Sequence, residues 1–328
     1  MIETNANIIP IVVSPDNNYV IPTYVMLHSL IKNKSSKDNY DIIILTNELT
    51  EDNFSLLKSL EKISIGISVR LLSAGDSFSN TKIHLKHITV AAMYRLLLPQ
   101  LLPEYSKCIY IDGDALICDD IAKAYREPVD DYYIAAVRDI EAADYINKFQ
   151  YDIVPPTDQY INTGFLLMNL ENMRKNGLVD RFFELSGKKF LFCDQDIMNI
   201  VCHNKIRHLP LKYNAMVKYR FLHYRLKKYK EEITKYFSLN EIYEAQQHPI
   251  MIHYAQPIKP WQCKFVYNGK HWNDYVVKNI DSEIRKKYIM PYISKSQKDN
   301  KTQFRLGIRY ILSKTFVYKY LLKLANKI

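Results

Sequence analysis

The sequence has no Cys-x-x-Cys pair. Its cysteines, Cys108, Cys118, Cys193, Cys202 and Cys263, are odd in number and irregular in spacing. That excludes a disulfide framework or a zinc knuckle and fits a reducing compartment. No apolar stretch approaches the ~20 residues that a membrane-spanning helix requires. The first residues, Met1 to Asn7, supply no basic cluster and no small-residue cleavage pattern ahead of the apolar Ile8 to Val13, so a secretory leader is not expected. Internal repeats and low-complexity blocks are missing as well, which excludes a solenoid. Acids are scarce at one end only. From Pro291 to Ile328, Asp299 is the single acid against nine basic residues, including Lys295, Arg305, Lys319, Lys323 and Lys327, so this end carries +8 of the formal +10. A basic end on a nearly neutral body points to an anionic surface as partner.

What remains is a globular composition. The chain has 328 residues, 48% hydrophobic and 24% charged, long enough for one large domain or two small ones. Tyrosine is abundant, at 26. Its apolar body and polar tip suit a surface that grips sugars or lipid headgroups.

Ile8 to Val13, Tyr40 to Leu45 and Ile63 to Leu71 read as buried strands. Tyr24 to Ile31 and Thr50 to Leu60 read as the helices between them, so the class is α/β with parallel members. Val90 to Leu98 reads as a helix closed by Pro99 and Pro103. Cys108 to Ile111, Tyr132 to Val137, Phe165 to Met168 and Ile250 to His253 read as further strands, and Ile197 to Val201 as a helix. Ligands of open α/β sheets gather beyond the carboxyl ends of strands. Asp16, Asp112, Asp139 and His253 all fall at such ends, the first hint of one shared site.

Asp112-Gly113-Asp114 follows a buried strand directly. Two carboxylates two residues apart can face one cavity and attract Mg²⁺ or Mn²⁺, which in turn bridge phosphates. Gly113 between them lets the backbone turn and a ligand approach. Taken alone, such a triplet is more often a loop with Asx turns. Likewise Asp16 and Asn18 alone read as a turn, His253 as a core histidine, Arg95 as half of a surface ion pair, and Asp194 as the cap of the helix near Ile197.

Five segments in order change that weighting. Val12 to Tyr19, Tyr94 to Ile117, Tyr160 to Phe165, Asp194-Gln195-Asp196 with Asn199, and His253-Tyr254 through Lys259-Pro260-Trp261 together resemble glycosyltransferase family 8, notably bacterial lipopolysaccharide galactosyl- and glucosyltransferases. The resemblance implies a GT-A fold: a Rossmann-like, mostly parallel mixed sheet flanked by helices. It implies a UDP-galactose or UDP-glucose donor, Mn²⁺ or Mg²⁺, and retention of anomeric configuration. By position, Asp112, Asp114 and His253 would ligate the metal, the imidazole favouring Mn²⁺. Asp16, Asn18 and Tyr19 would meet uridine and ribose, and His87 and Arg95 the phosphate and donor sugar. Asp139, Asn162, Asp194 and Gln195 would line the sugar, and Lys259 would neutralise the leaving diphosphate. Gln195 is an amide and a poor nucleophile, so front-face substitution is favoured over a covalent intermediate. One departure is Gln256, where the family pattern has glycine. Gln256 and the following Pro257 restrict backbone approach to the diphosphate.

The expected organisation is a catalytic domain over 1–290 and a basic amphipathic tail over 291–328, the tail lying on the inner face of the plasma membrane. The acceptor expected is lipopolysaccharide or another saccharide or lipid-linked glycan, with the basic, tyrosine-rich Val217 to Lys230 on the acceptor side or as an ordinary solvated helix. No nucleic acid is expected. The competing class, a nucleic-acid or nucleotide binder without transferase activity, leaves Asp112, Asp114 and Asp139 unexplained, because acids repel phosphates unless a metal intervenes.

Overall fold

The computed structural model describes residues 8–76, 78, 90–139, 142, 159–216, 234–266 and 268–313. His87, Val217 to Lys230 and the lysines from Lys314 onward lie outside these residues. The expected alternation is present: β1 (Ile8–Val13), α1 (Val20–Lys32), β2 (Asn39–Leu45), α2 (Glu51–Lys58) and β3 (Ile67–Leu72). Strands β1 and β2 are near-continuous apolar runs because both faces of the sheet are covered. Thr50 caps α2 by accepting from the Asn53 amide, and Glu51 and Asp52 complement the helix dipole behind it.

Beyond β3 come β4 (Cys108–Ile111), β5 (Ala115–Ile117), β6 (Ile134–Arg138), β7 (Ile161–Met168), β8 (Ile206–His208), β9 (Ala215–Met216) and β10 (Met251–His253). Among the described residues, seven strands form one sheet in the order β3-β2-β1-β4-β7-β6-β8, and β5-β10-β9 form a second. In the large sheet β7 alone runs antiparallel to its neighbours. Alternate residues of the strands divide the core. Ile9, Ile11 and Val13 pack with α1, whereas Val12, Ile43 and Leu45 pack with Met93, Leu96 and Leu97.

Two sequence expectations are corrected. Val90 to Leu98 is not one helix closed by Pro99. A 3-10 turn over Val90–Leu97 passes into a short α-turn, Leu98–Leu101, and Pro99 stands in its first turn, where a missing N–H costs nothing. The strand expected from Phe165 begins at Ile161, so Asn162, Thr163 and Gly164 are strand residues rather than loop. None of the five cysteines forms a disulfide, and among the described residues no helix is long and apolar enough to cross a membrane.

One buried titratable group belongs to the core itself. His28 of α1 lies with Nδ1 2.7 Å from the Tyr275 hydroxyl. Burial, with Lys32 adding, lowers its imidazole from 6.5 to about 4. The folded value is below the unfolded one, so the native state binds fewer protons between them. Stability is therefore complete above about 6.5 and is lost as pH falls toward about 4, by up to about 3 kcal/mol. Urea unfolding at pH 7 and pH 5 should show this slope, and His28→Gln should flatten it. An unchanged slope in the variant would refute the assignment.

Candidate active site

The backbone builds the site before any side chain does. Asp112-Gly113-Asp114 is the span between the end of β4 in the large sheet and the start of β5 in the small one. The Asp112 amide donates to the Gly164 carbonyl at 2.9 Å, continuing the ladder with β7, and the Tyr254 amide donates to the Asp114 carbonyl at 2.9 Å. His253 pairs with Ala115 across the small sheet. Register alone thus sets Asp112 beside Gly164 and Asp114 beside His253.

The side chains then converge. His253 Nε2 lies 3.2 Å from Asp114 Oδ1 and 3.9 Å from Asp112 Oδ2. The Lys259 ammonium donates to Asp114 Oδ2 at 2.7 Å and to the Tyr254 carbonyl at 2.8 Å. Burial pushes the Asp114 carboxyl up, but Lys259 and His253 outweigh it and hold it well below the usual carboxylate range. One ligand atom each from Asp112, Asp114 and His253 falls within 4.8 Å of the others. Two carboxylates and an imidazole are a donor set that suits a divalent cation of the Mn²⁺ type. Asp114 thus has one positive partner of its own, the Lys259 ammonium.

Behind this group lies Arg95, buried, with its guanidinium 4.1 Å from the Tyr110 ring centroid. It donates to Asp112 Oδ1 at 2.8 Å and to the Thr163 carbonyl at 2.7 Å, and its Nε lies 3.2 Å from Asp194 Oδ2. It is not the surface ion pair that its helical setting suggests. Burial pushes the Asp194 carboxyl up to about 6; Arg95 pulls against this and the charge of Asp112 adds to it. Asp194 does not cap its helix: Cys193 is the N-cap, with φ at +45°, and α3 runs from Asp194 to Val201. A non-glycine residue at positive φ is strained, and the residue after it, Asp194, faces Arg95 and Thr163.

The third wall comes from β7. Register slips between Ala136 and Arg138 of β6, so Leu166 pairs with Ala136 but Ile161 with Arg138. Such a bulge re-aims side chains. The Asn162 amide donates to Asp139 Oδ2 and to Gln195 Oε1, each at 3.1 Å. Gln195 donates onward to the Tyr160 hydroxyl at 3.3 Å, and Tyr160 to Asp196 at 2.6 Å. Asn199 brackets Ile161, accepting from its amide at 2.8 Å and donating to its carbonyl at 3.0 Å.

Nine expected residues thus meet in one contiguous group: Arg95, Asp112, Asp114, Asp139, Asn162, Asp194, Gln195, His253 and Lys259. Tyr19 adjoins it, its ring edge-on to Trp261 at 5.9 Å. Asp16 and Asn18 stand at the rim, where Asp16 Oδ1 accepts from the amides of Asn18 and Tyr19 at 2.8 and 2.9 Å, the turn that its sequence suggested. Gly113 has a different reason from the one expected. Its φ is not in the left-handed region, and a Cβ there would lie 2.2 Å from Thr23 Oγ1, so glycine is what lets α1 approach the carboxylates. Gln256 turns its own amide back onto the Tyr254 carbonyl at 2.7 Å. Sequence reasoning missed Thr163, whose hydroxyl donates to Asp194 at 3.2 Å, and Asn214, whose Oδ1 lies 3.0 Å from His253 Nδ1. Thr163 lies within the Tyr160 to Phe165 segment, which by itself gives it no role, and no local pattern marks Asn214.

This backbone superposes on WbbM, a bifunctional glycosyltransferase, with a TM-score of 0.73 at 24% identity over 89% of this chain and 52% of that one, so the chain spans about half of that protein. It superposes on the galactosyltransferase LgtC, solved with donor and acceptor sugar analogs, with a TM-score of 0.68 at 19% identity over 85% of this chain and 99% of that one. The fold is therefore that of a GT-A glycosyltransferase. Residues 10–264 match the model of Glycosyl transferase family 8, and the chain belongs to that family. General stress protein A of Bacillus subtilis (strain 168) is 26% identical over 271 residues, covering 80% of this chain and 90% of that protein. A lipopolysaccharide 1,2-glucosyltransferase of Escherichia coli is 23% identical over 256 residues, covering 75% and 71%. Family membership makes the protein a glycosyltransferase, with a nucleotide-sugar donor and a glycan acceptor as its classes of reactant.

Proposed function

We propose that the chain transfers a hexose, galactose or glucose, from UDP to a hydroxyl of a cell-surface glycan such as lipopolysaccharide, with Mn²⁺ or Mg²⁺ held by Asp112, Asp114 and His253. The observation that carries this reading is the convergence of those three ligand atoms within 4.8 Å, with Lys259 on the same carboxylate at 2.7 Å. When bound, the cation supplies Lewis-acid neutralisation of the diphosphate. Lys259 adds a second positive charge at the leaving group. Tyr19, with Asp16 and Asn18 at the rim, faces the uridine side; His87, outside the described residues, keeps the phosphate role that the resemblance implies. Arg95 holds Asp112 and Asp194 in place. Asp139, Asn162 and Asp194 pair the sugar hydroxyls, which must be satisfied once buried. Gln195 has its oxygen turned to the Asn162 and Thr163 amides. In this reading Gln195, an amide held by those bonds, is a fixed dipole at the anomeric carbon rather than a nucleophile, which favours front-face substitution with retention.

Residues 1–290 act as the catalytic unit and 291–328 as the segment that meets an anionic membrane. The excess of basic residues supports that role, as does the exposure of Phe304 and Ile308 on the helix Asn300–Ser313. The test is UDP release from a panel of nucleotide sugars with Mn²⁺, Mg²⁺ or EDTA. Release from UDP-galactose or UDP-glucose that EDTA abolishes and Mn²⁺ restores is expected. Turnover indifferent to EDTA would overturn the metal reading, and preference for another sugar nucleotide would overturn the donor.

A further inference from the structure

A line of buried amides runs from the carboxylates to the sugar side, and its polarity can be read from its ends. The Gly164 amide donates to Asn162 Oδ1 at 3.0 Å, and a backbone N–H has no way to accept. On the other side of the same side chain, Asp139 Oδ2 accepts from Asn162 Nδ2 at 3.1 Å, and a carboxylate has no proton to give. These two anchors settle which end of the Asn162 amide is oxygen. Asn214, fully buried, lies 2.8 Å from that oxygen, so the end it presents there is the NH₂. Its other end, Oδ1, is then 3.0 Å from His253 Nδ1, and an oxygen facing a ring nitrogen demands a hydrogen on that nitrogen. A neutral imidazole carries one ring proton. With that proton on Nδ1, Nε2 is the ring nitrogen left to face a cation, and it lies 3.2 Å from Asp114 Oδ1 and 3.9 Å from Asp112 Oδ2.

We propose that Asn214 is a positioning residue: it fixes the His253 proton on Nδ1 and thereby presents Nε2 to the divalent cation. This rests on the reading that Asp112, Asp114 and His253 hold one. The same amide bonds Asn162, so a single side chain ties the metal ligand to the sugar-side wall. Outer-shell partners of this kind set ligand tautomer and ring orientation.

The two halves of the Asn214 amide can be separated. Asn214→Asp keeps the acceptor for His253 and loses the donor to Asn162. Asn214→Leu loses both. Mn²⁺ binding to the full-length protein, without nucleotide, is measured from the loss of the free-ion EPR signal. Asn214→Asp is expected to bind Mn²⁺ at least as tightly as the parent, and Asn214→Leu 10–100-fold more weakly. If Asn214→Leu does not fold, Asn214→Asp decides alone: a loss of affinity of tenfold or more shows a merely structural role and overturns the proposal. Wild-type affinity in a folded Asn214→Leu overturns it too. Ring ¹⁵N spectra of histidine-labelled protein with Cd²⁺ bound give a separate readout. Nδ1 protonated and Nε2 liganded is expected, and Nδ1 as the liganded nitrogen is incompatible with the proposal. Failure of the underlying reading looks different: the parent itself would bind Mn²⁺ no better than an Asp112→Asn, Asp114→Asn double variant.

Discussion

Asp114→Asn is expected to lower cation-dependent release of UDP from a UDP-hexose by ~10³-fold, the largest loss from any single isosteric change in this chain. Each oxygen of Asp114 is committed, Oδ1 to His253 and Oδ2 to Lys259. An amide preserves shape and removes charge, so the cation loses an anionic ligand while the backbone bond from the Tyr254 amide to the Asp114 carbonyl remains. Circular dichroism should confirm a native fold, and a Mn²⁺ titration of the residual activity should require far more metal for saturation. Activity within tenfold of the parent, with an unchanged metal requirement, would remove Asp114 from the site.

Gly164→Ala is the second large effect. A Cβ at Gly164 would lie 2.2 Å from His253 Cε1, 2.7 Å from His253 Nδ1 and 3.0 Å from Asn162 Oδ1. The imidazole has no free retreat, because Nδ1 is bonded to Asn214 and its residue is paired on both sides in the small sheet. One methyl group should cost about 1–3 kcal/mol of stability by overpacking. The displaced ring should cost about 10²-fold in turnover, the loss that goes with misplacement by an ångström. Gly187 provides the control. It has a helical φ of −80° and open space around the Cβ position, so Gly187→Ala should be silent. Thermal unfolding and UDP release on the two variants make the comparison. Equal behaviour of the two would show that His253 does not need its present position.

How much of this was legible in the sequence depends on the range of the interaction. Strands β1 and β2 and helix α1 each carry a dense apolar run, so their chemistry declared them. Strands β5 and β9 span three and two residues, too short to carry any period. The start of β7 was misread because Asn162-Thr163-Gly164 has the composition of a loop. Those residues are buried in a strand only because Asp139, Gln195 and Asn214, from three distant segments, satisfy them. Asp112, Asp114, His253 and Lys259 were named by their order in five short motifs, and the fold draws them together. The link of Arg95 to both Asp112 and Asp194 was beyond reach, since helical spacing reports a face and not what is packed against it. Asn214 was invisible for the same reason.

A site in a parallel sheet ordinarily hangs on the loops past its strand ends. Here one strand runs the other way, and its opening residues, not the loop after it, supply a wall. Asn162, Thr163 and Gly164 belong to a buried strand held between β4 and β6, while Asp16 and Asn18 belong to a surface turn. The rim turn can change without touching the core. The wall has no such freedom: any change there is at once a change in the core, so natural variants at those three positions should first register as losses of thermal stability and only then as altered sugar preference.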